Sequence, residues 1–197
     1  MRIIVIGAGI GGLAAALTLR RAGLGVQVFE QAAELREVGA GIQISPNASR
    51  ILNRLGLEEP MRRLGVRPRS IVIRRWDDGR ELARQPLADA CERNFGAPYY
   101  NFHRADLLEL LSAAVPQGLL HLDHRCVGLT QHTDRVEVQF HNGATADAGA
   151  RYSARVHQNC PIALDVPLNT IQMPASGSGD THPRGKSSAN NPASSMS

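Results

Sequence analysis

The 197-residue sequence predicts an α/β protein in which a β-α-β unit is followed by an antiparallel hairpin and a β-meander. Two apolar runs, residues 3–6 and 25–30, have the composition of buried parallel strands, and an Ala- and Leu-rich helical segment joins them. Farther along, turn residues such as Asp78-Gly79 and Asn142-Gly143 separate short β-rich runs, as between antiparallel strands. The class is therefore α/β with a mixed system of sheets.

The turn after the first strand has the pattern Gly-x-Gly-x-x-Gly. In such a turn Gly7 permits the tight bend, Gly9 lets the backbone approach a pyrophosphate, and Gly12 lets the helix lie close to the strand. The pyrophosphate then faces a helix N-terminus, whose unpaired N–H groups and dipole favour a dianion. The residues predicted to line this site are Gly7, Ala8, Gly9, Ile10, Gly11 and Gly12.

Glu30 closes the second strand at the distance from the glycines where a carboxylate accepts hydrogen bonds from ribose hydroxyls. An acid at this position disfavours a 2′-phosphate. Strand, glycine turn, helix and terminal acid occur in order, so the segment predicts a Rossmann-like dinucleotide-binding unit. A secretory signal is the competing interpretation, but glycines interrupt the apolar stretch and no polar cleavage region follows.

The next elements are justified by their end signals. The first helix ends in a pair of arginines before Gly23, and a second helix is predicted from Ser45 as N-cap and Pro46 as first residue to a stop at Gly56. A short helix follows at residues 58–64, and a hairpin is predicted from strands at residues 70–76 and 81–85.

A strand at residues 99–102 leads into a helix at residues 104–114, which Pro116 ends. Leucines mark this helix as well buried, at positions Leu107, Leu108, Leu110 and Leu111. Strands at residues 119–129, 136–140 and 144–147 then form a β-meander. Asn142-Gly143 joins the last two strands and favours a type I′ turn.

Composition excludes several classes of function. The 43% of hydrophobic residues suits a globular domain, and no run is long and apolar enough to span a membrane. The net charge of +4 comes almost wholly from arginine, but the basic residues at 62–75 spread over a helix, a loop and a strand. We therefore expect a solvated surface and no nucleic-acid partner.

Cysteine and histidine patterns give little sign of metal or disulfide chemistry. Cys91, Cys126 and Cys160 lie far apart without paired spacing, which favours a reducing, cytoplasmic location. His121 and His124 precede Cys126 with a spacing that invites a metal site, but strand alternation would place these side chains on different faces. We therefore predict no metal ion.

The last part of the chain differs from the rest. Residues 174–197 contain no Val, Ile, Leu, Phe, Tyr or Trp, so they cannot bury enough apolar surface to offset their ordering entropy. We expect a disordered tail. The predicted division is an incomplete cofactor-binding domain at residues 1–156 and an atypical, mostly disordered tail at residues 157–197.

Two segments resemble a known enzyme family. The segment 34–48 and the later segment Phe102-His103-Arg104, which runs on to Leu107, are similar to those of FAD-dependent aromatic-ring monooxygenases of the salicylate and 3-hydroxybenzoate hydroxylase type. The likeness covers residues 1–148. It implies that FAD is the cofactor and that the β-α-β unit binds its adenylate half.

The resemblance also implies roles for individual residues. Glu30 would hold the adenosine ribose, Gly41 would line the flavin cleft and Arg104 would contact FAD. The backbone of Val127 would face the adenine. Gln31 and Val38 complete the predicted cofactor set. The alternatives are a purely structural turn at Gly39 and Gly41, a surface or capping role for Arg104, and a core position for Val127.

The reaction that the family implies is hydroxylation of a phenolic or aromatic acid with NAD(P)H and O2. The cofactor carries that chemistry, while the protein supplies placement and a dry cavity. The sequence accordingly gives no catalytic acid, base or nucleophile to name. A small aromatic molecule is the expected substrate.

After the meander the sequence departs from the family pattern. Residues 147–156 lack the Gly-Ala-Asp-Gly type segment, and the later Gly-Asp-Ala segment is missing. The simplest hypothesis is the N-terminal part of a hydroxylase with an unrelated tail. Such a chain would retain FAD weakly and would not hydroxylate alone, and the apolar surface left by the missing half would be a route to self-association. A non-catalytic dinucleotide-binding remnant and another Rossmann-type NAD or FAD oxidoreductase are the alternatives.

Overall fold

The computed structural model describes residues 2–35 and 40–149. The predictions made for Val38, Gly39 and residues 150–197 lie outside the described residues. Within those ranges, no helix combines the length and the apolar character needed to cross a bilayer. The elements in chain order are β1 (Arg2–Ile6), α1 (Ile10–Arg21), β2 (Gly25–Phe29), β3 (Gly41–Ile44), α2 (Pro46–Arg54), α3 (Glu58–Leu64), β4 (Ser70–Arg74), β5 (Glu81–Pro86), α4 (Ala88–Phe95), β6 (Tyr100–His103), α5 (Arg104–Ala114), β7 (Leu120–His121), β8 (Cys126–Gln131), β9 (Val136–Phe140) and β10 (Thr145–Ala148).

The β-α-β unit at the start of the chain is confirmed. Strands β1 and β2 pair in parallel from Arg2 opposite Gly25 to Ile6 opposite Phe29, and α1 is the crossover between them. The side chain of Leu13 on α1 is fully buried against this sheet, as is Val28 on β2. Burial on both faces explains why these strands consist of nearly continuous apolar residues.

The single strand predicted at residues 119–129 is wrong, because the structure divides it. The short strand β7 joins the parallel sheet, with Leu120 opposite Val28, and the meander begins only at β8. Between the two the chain turns at Asp123, whose φ is +55°. The N–H of His124 donates to the carbonyl oxygen of Glu30 at 2.7 Å. The interruption between β7 and β8 therefore lies beside the end of β2.

The turn between β9 and β10 is also not the predicted type I′ turn. That turn needs positive φ at both central residues, but Gly143 has a φ of +82° and Asn142 is not among the described residues with positive φ. The loop has three residues, since the N–H of Phe140 donates to the carbonyl oxygen of Ala144 at 3.0 Å. The Asn142 side-chain oxygen accepts from the Ala144 N–H at 3.0 Å and closes the loop.

The sequence analysis did not predict two of the elements, β3 and α4. Strand β3 pairs in an antiparallel manner with β6, with Ile44 opposite Tyr100. Helix α4 is short and places Cys91 in a small buried cluster with Leu87 and Tyr99. The helices α3 and α5, the β4–β5 hairpin and the β8-β9-β10 meander agree with the predicted positions.

An aromatic stack joins the meander to the parallel sheet. The ring of Phe29 on β2 lies between the His121 imidazole, 4.6 Å away between centroids, and the Phe140 ring, 4.5 Å away. The His124 ring also contacts Phe29, with centroids 5.4 Å apart. The prediction that strand alternation places His121 and His124 on different faces is therefore wrong, because β7 ends between the two residues.

Burial and the neighbouring His124 ring lower the pKa of His121. The Nε2 atom of His121 is buried without a hydrogen-bond partner. Because a charged imidazole would need solvation that this position restricts, the folded state favours the neutral ring.

Acidification is expected to weaken the fold through His121. Since its folded pKa lies below the unfolded value of about 6.5, the contribution of His121 to stability is fully present above about pH 6.5. It is lost as the pH falls through that value toward the folded pKa. Urea unfolding at several values between about pH 7.5 and 5 would measure the loss.

The variant His121→Phe keeps a flat ring on Phe29 and should lose less stability over the same pH range. As a control, His103→Asn alters an imidazole that is 52% exposed and should keep the original pH dependence. An unchanged dependence in His121→Phe would contradict this role.

Candidate cofactor site

The glycine turn begins at the end of β1 and is fixed by the neighbouring strand. Gly7 has a φ of +100°, a conformation that L side chains rarely adopt, and its N–H donates to the carbonyl oxygen of Phe29 at 2.7 Å. Ala8 follows and is completely buried. The turn therefore requires glycine at position 7 for backbone reasons.

Gly12 allows α1 to start directly beside this turn. A Cβ atom at position 12 would lie 1.9 Å from the carbonyl oxygen of Gly7, so no other residue fits without movement of the backbone. Gly9 differs, because a Cβ there would meet nothing within 4 Å. The structure thus shows close helix–strand packing at Gly12 and open space at Gly9.

The N-terminus of α1 presents backbone donors at this open side. The helical hydrogen bonds start with the Leu13 N–H, which donates to the Gly9 carbonyl oxygen at 3.0 Å. The N–H groups of Ile10, Gly11 and Gly12 precede that bond and have no acceptor inside the helix. The first turn of α1 contains no acidic residue, so the positive end of the helix dipole is not neutralised from within the helix.

The Glu30 carboxylate is held by two backbone amides. Its Oε2 atom accepts from the Ala8 N–H at 2.7 Å, and its Oε1 atom accepts from the Ala32 N–H at 2.9 Å. The carboxylate therefore lies against the glycine turn, half-buried, at the carboxyl end of β2. The adjacent Gln31 is exposed. Each carboxylate oxygen retains capacity to accept a second hydrogen bond.

A second group of predicted residues lies where β3 pairs with β6. Gly41 is opposite His103, and the backbone N–H of Arg104, the first residue of α5, donates to the Ala40 carbonyl oxygen at 2.9 Å. Gly41 is therefore the first residue of a strand. A Cβ there would come no closer than 4.0 Å to the Phe102 carbonyl oxygen, so packing does not require glycine at this position.

Val127 does not lie in the core, and that alternative is wrong. It stands at an irregularity of the β8–β9 pairing, between Cys126 and Gly128, and is 51% exposed. Val127 lies in the β8-β9-β10 sheet, whereas the glycine turn follows β1 of the parallel sheet.

Sequence reasoning missed the residues that act through their backbone. Ala32 supports Glu30, and Ala40 supports the start of α5, but neither side chain carries a signal that a sequence could show. Across residues 2–35 and 40–149, no group of three or more His, Cys, Asp or Glu side chains could hold a metal ion.

The glycine turn, the helix N-terminus and the supported carboxylate together define a dinucleotide-binding protein of the β-α-β type. Residues 1–155 match the family described as FAD binding domain, and the chain belongs to that family. The resemblance to flavoprotein monooxygenases is confirmed by the similar proteins.

Two curated relatives illustrate the similarity. A 3-amino-4-hydroxybenzoate 2-monooxygenase from Streptomyces cremeus is 46% identical over 148 residues, which make up 75% of this chain and 38% of that protein. A 6-hydroxynicotinate 3-monooxygenase from Bordetella bronchiseptica is 41% identical over 147 residues, again 75% of this chain and 38% of the relative. The chain thus spans about 38% of the length of these relatives.

Solved structures agree in fold. HpxO from Klebsiella pneumoniae, complexed with FAD and uric acid, matches with a TM-score of 0.66 and 28% identity over 75% of this chain and 37% of that one. The 2,6-dihydroxypyridine-3-hydroxylase from Arthrobacter nicotinovorans matches with a TM-score of 0.60 and 28% identity, over 75% and 35% of the respective chains.

Substitution of Gly12 by alanine is expected to destabilise the protein by about 2–3 kcal/mol, because the new methyl group overlaps the Gly7 carbonyl. A loss of stability would identify this overlap as the cause, since alanine inside a helix otherwise stabilises relative to glycine by about 1 kcal/mol. Denaturant unfolding of Gly12→Ala would measure it.

Gly9→Ala is the matched control, because it adds the same methyl group in open space. We expect it to change stability by less than about 1 kcal/mol, the ordinary difference between residues at a helix N-cap. Equal losses for both variants would show that the contact between Gly12 and Gly7 is not the cause.

Proposed function

We propose that this domain binds FAD, with the adenylate half of the cofactor at the glycine turn and Glu30. The observation that carries the proposal is the Glu30 carboxylate, which accepts from the Ala8 N–H at 2.7 Å beside the N-terminus of α1. This arrangement places a ribose acceptor and a set of pyrophosphate donors side by side. The residues proposed for this half are Gly7, Ala8, Gly9, Ile10, Gly11, Gly12, Glu30 and Gln31.

The residues present fit the adenylate half by shape and by charge. The space beside Gly9 lets a pyrophosphate approach the main chain, and the absence of an acid from the first turn of α1 removes a source of repulsion. The carboxylate of Glu30 suits free ribose hydroxyls and repels a 2′-phosphate. These features support FAD over a 2′-phosphorylated dinucleotide at this position.

The flavin half is proposed to lie toward Gly41 and Arg104, with Val38 beyond the described residues and the backbone of Val127 on the adenine side. Arg104 begins α5, and its backbone N–H is bonded to the Ala40 carbonyl oxygen. The backbone from which the Arg104 side chain extends is therefore fixed. A guanidinium gives forked hydrogen bonds to phosphate or flavin oxygens. When bound, FAD supplies the redox chemistry, and the protein residues position it.

We further propose that the protein to which this domain belongs hydroxylates an aromatic acid with NAD(P)H and O2. Support comes from the named activities of the relatives, which act on 3-amino-4-hydroxybenzoate and 6-hydroxynicotinate. Both names describe a hydroxylated ring that bears a carboxylate. The substrate class proposed is therefore a hydroxylated aromatic or heteroaromatic carboxylic acid, and no residue of this chain is assigned a catalytic role.

The proposed domain extends over residues 1–156, and the family match to residue 155 supports this limit. Residues 157–197 are proposed as a separate tail, and a cytoplasmic location remains a prediction. Self-association through exposed apolar surface is likewise proposed.

Glu30→Gln is expected to raise the dissociation constant for FAD about tenfold or more, because a hydrogen bond to a charged acceptor contributes about 1.5–3 kcal/mol. Titration of the purified protein with FAD, followed by flavin fluorescence, would measure this constant. The exposed Glu109→Gln variant on α5 is the control and should bind FAD like the unaltered protein.

Unfolding of Glu30→Gln should be measured in parallel, since Ala8 and Ala32 lose a charged acceptor. A weaker affinity in a variant that is still folded supports the proposal. Saturable binding with the same constant in Glu30→Gln would contradict the proposed ribose contact.

The 197-residue chain alone is expected to bind FAD weakly and to catalyse no hydroxylation, because it spans about 38% of the length of its relatives. Oxygen uptake with FAD, NADH or NADPH and a hydroxybenzoate would test this. Substrate-dependent oxygen uptake with a hydroxylated product would contradict the expectation, whereas flavin binding without turnover would agree with it.

A further inference from the structure

We propose that the turn at Asp123, and the Asn142 side chain that holds this turn, position the Glu30 carboxylate for the cofactor ribose. Neither Asp123 nor Asn142 is proposed to contact the cofactor, so both are positioning residues. The proposal rests on the proposed function, because the ribose contact of Glu30 is part of that function. Both residues come from segments that are far from Glu30 in the sequence.

The Glu30 carboxylate extends from a segment without regular structure. Strand β2 ends at Phe29, and residues 31–34 belong to no helix or strand. One of the two amides that hold the carboxylate lies in this segment, since the Ala32 N–H donates to Oε1 of Glu30 at 2.9 Å. The carboxylate therefore keeps its position only if other contacts hold the segment.

Those contacts come from the end of β7 and the residues that follow it. The Glu30 N–H donates to the His121 carbonyl oxygen at 2.8 Å, and the Glu30 carbonyl oxygen accepts from the His124 N–H at 2.7 Å. The Ala32 carbonyl oxygen accepts from the Asp123 N–H at 3.0 Å. The residue that carries the carboxylate and the residue whose amide binds it are thus bonded to the same short segment.

The backbone conformation of Asp123 permits two of these contacts at once. Successive N–H groups of an extended strand point to opposite sides, whereas the Asp123 and His124 N–H groups both donate to residues 30–32. The φ and ψ angles of Asp123 set the relative orientation of these two N–H groups, and its φ is +55°. Aspartate and asparagine tolerate a positive φ, but β-branched residues hardly adopt it.

The Asn142 side chain holds the turn from the loop between β9 and β10. Its Nδ2 atom donates to the Asp123 carbonyl oxygen at 2.9 Å, and its Oδ1 atom accepts from the Ala144 N–H at 3.0 Å. Next to it, the His141 N–H donates to the Arg125 carbonyl oxygen at 2.9 Å. The Asn142 amide therefore closes its own loop and also fixes the carbonyl group of the Asp123 turn.

A continuous series of hydrogen bonds thus leads from this loop to the proposed ribose contact. It runs from Asn142 to the Asp123 carbonyl oxygen and from the Asp123 N–H to the Ala32 carbonyl oxygen. The Ala32 N–H then binds one carboxylate oxygen of Glu30, and the Ala8 N–H binds the other. Because a carboxylate fixed in advance loses less freedom when a ligand binds, loosening this series should weaken FAD binding through Glu30.

Two neighbouring amides report on the Glu30 carboxylate without any ligand. The Ala8 N–H donates to that carboxylate, whereas the Gly7 N–H donates to the backbone oxygen of Phe29 at 2.7 Å. Release of the carboxylate frees the first amide and leaves the second bonded, while general loosening of the glycine turn frees both. The ratio of their hydrogen-exchange rates, measured by NMR on the ligand-free chain, separates the two cases.

Asp123→Val and Asn142→Asp are the test variants. The first places a β-branched side chain at a positive φ, and the second keeps the acceptor for the Ala144 N–H but removes the donor to the Asp123 carbonyl oxygen. Each should raise the exchange rate of the Ala8 N–H relative to the Gly7 N–H by roughly fivefold or more. Asp123→Asn tolerates the same conformation and should leave this ratio within about twofold.

Val136→Ala is the control for a loss of stability alone. Val136 is buried on β9, and its truncation destabilises the meander without removing any hydrogen bond of the series. Both the exchange ratio and the dissociation constant for FAD should stay within about twofold of those of the unaltered chain.

A double-mutant cycle tests whether Asp123 acts through Glu30. Asp123→Val should raise the dissociation constant for FAD by roughly fivefold or more in the otherwise unaltered chain. In a chain that carries Glu30→Ala the same change should cost less than about twofold, because the side chain that Asp123 positions is already absent. A merely structural role would weaken binding equally in both backgrounds. Circular dichroism would verify folding, and Asn142→Asp supplies the same cycle if Asp123→Val does not fold.

The exchange ratio and the FAD constants distinguish the two possible failures. An unchanged ratio in both test variants, or an equal effect of Asp123→Val with and without Glu30, would overturn the positioning role. If FAD showed no saturable binding, or if Glu30→Ala bound it like the unaltered chain, the proposed function would fail. The exchange ratio would still decide whether Asp123 and Asn142 hold the carboxylate.

Discussion

The contact between Gly12 and the carbonyl oxygen of Gly7 is the constraint on which the rest of the domain depends. Because position 12 has no Cβ, α1 begins against the end of β1, where a methyl group would come within 1.9 Å of that oxygen. The helix N-terminus therefore lies at the carboxyl edge of the parallel sheet. This is the edge at which open α/β sheets bind ligands.

Glu30 connects that edge to the remainder of the fold. Its side chain reaches back to Ala8 in the glycine turn, and its backbone N–H donates to the His121 carbonyl oxygen at 2.8 Å. The same residue thus belongs to the proposed nucleotide site and to the pairing of β2 with β7. A carboxylate already fixed by two amides loses little freedom when a ligand binds, which favours affinity. The Phe29 stack next to it holds the meander in place.

Local patterns predicted those elements whose stability is itself local. Helix α3 has acidic residues in its first turn and arginines in its last, and α5 has a leucine-rich core face, so their positions were predictable. Strand β3 is four residues long and pairs with β6 about sixty positions later, a contact with no local sequence signal. The sheet to which Leu120 belongs was missed for the same reason.

The sequence by itself determined the dinucleotide class of the site, because the glycine spacing and the terminal acid record backbone constraints that only certain residues satisfy. It also determined the family, through the segments at residues 34–48 and 102–107. Only the tertiary structure decided that Ala8 and Ala32 hold the Glu30 carboxylate, that β7 lies parallel to β2, and that Val127 is exposed. These features depend on backbone groups and on contacts between distant segments, and side-chain identity does not encode them locally.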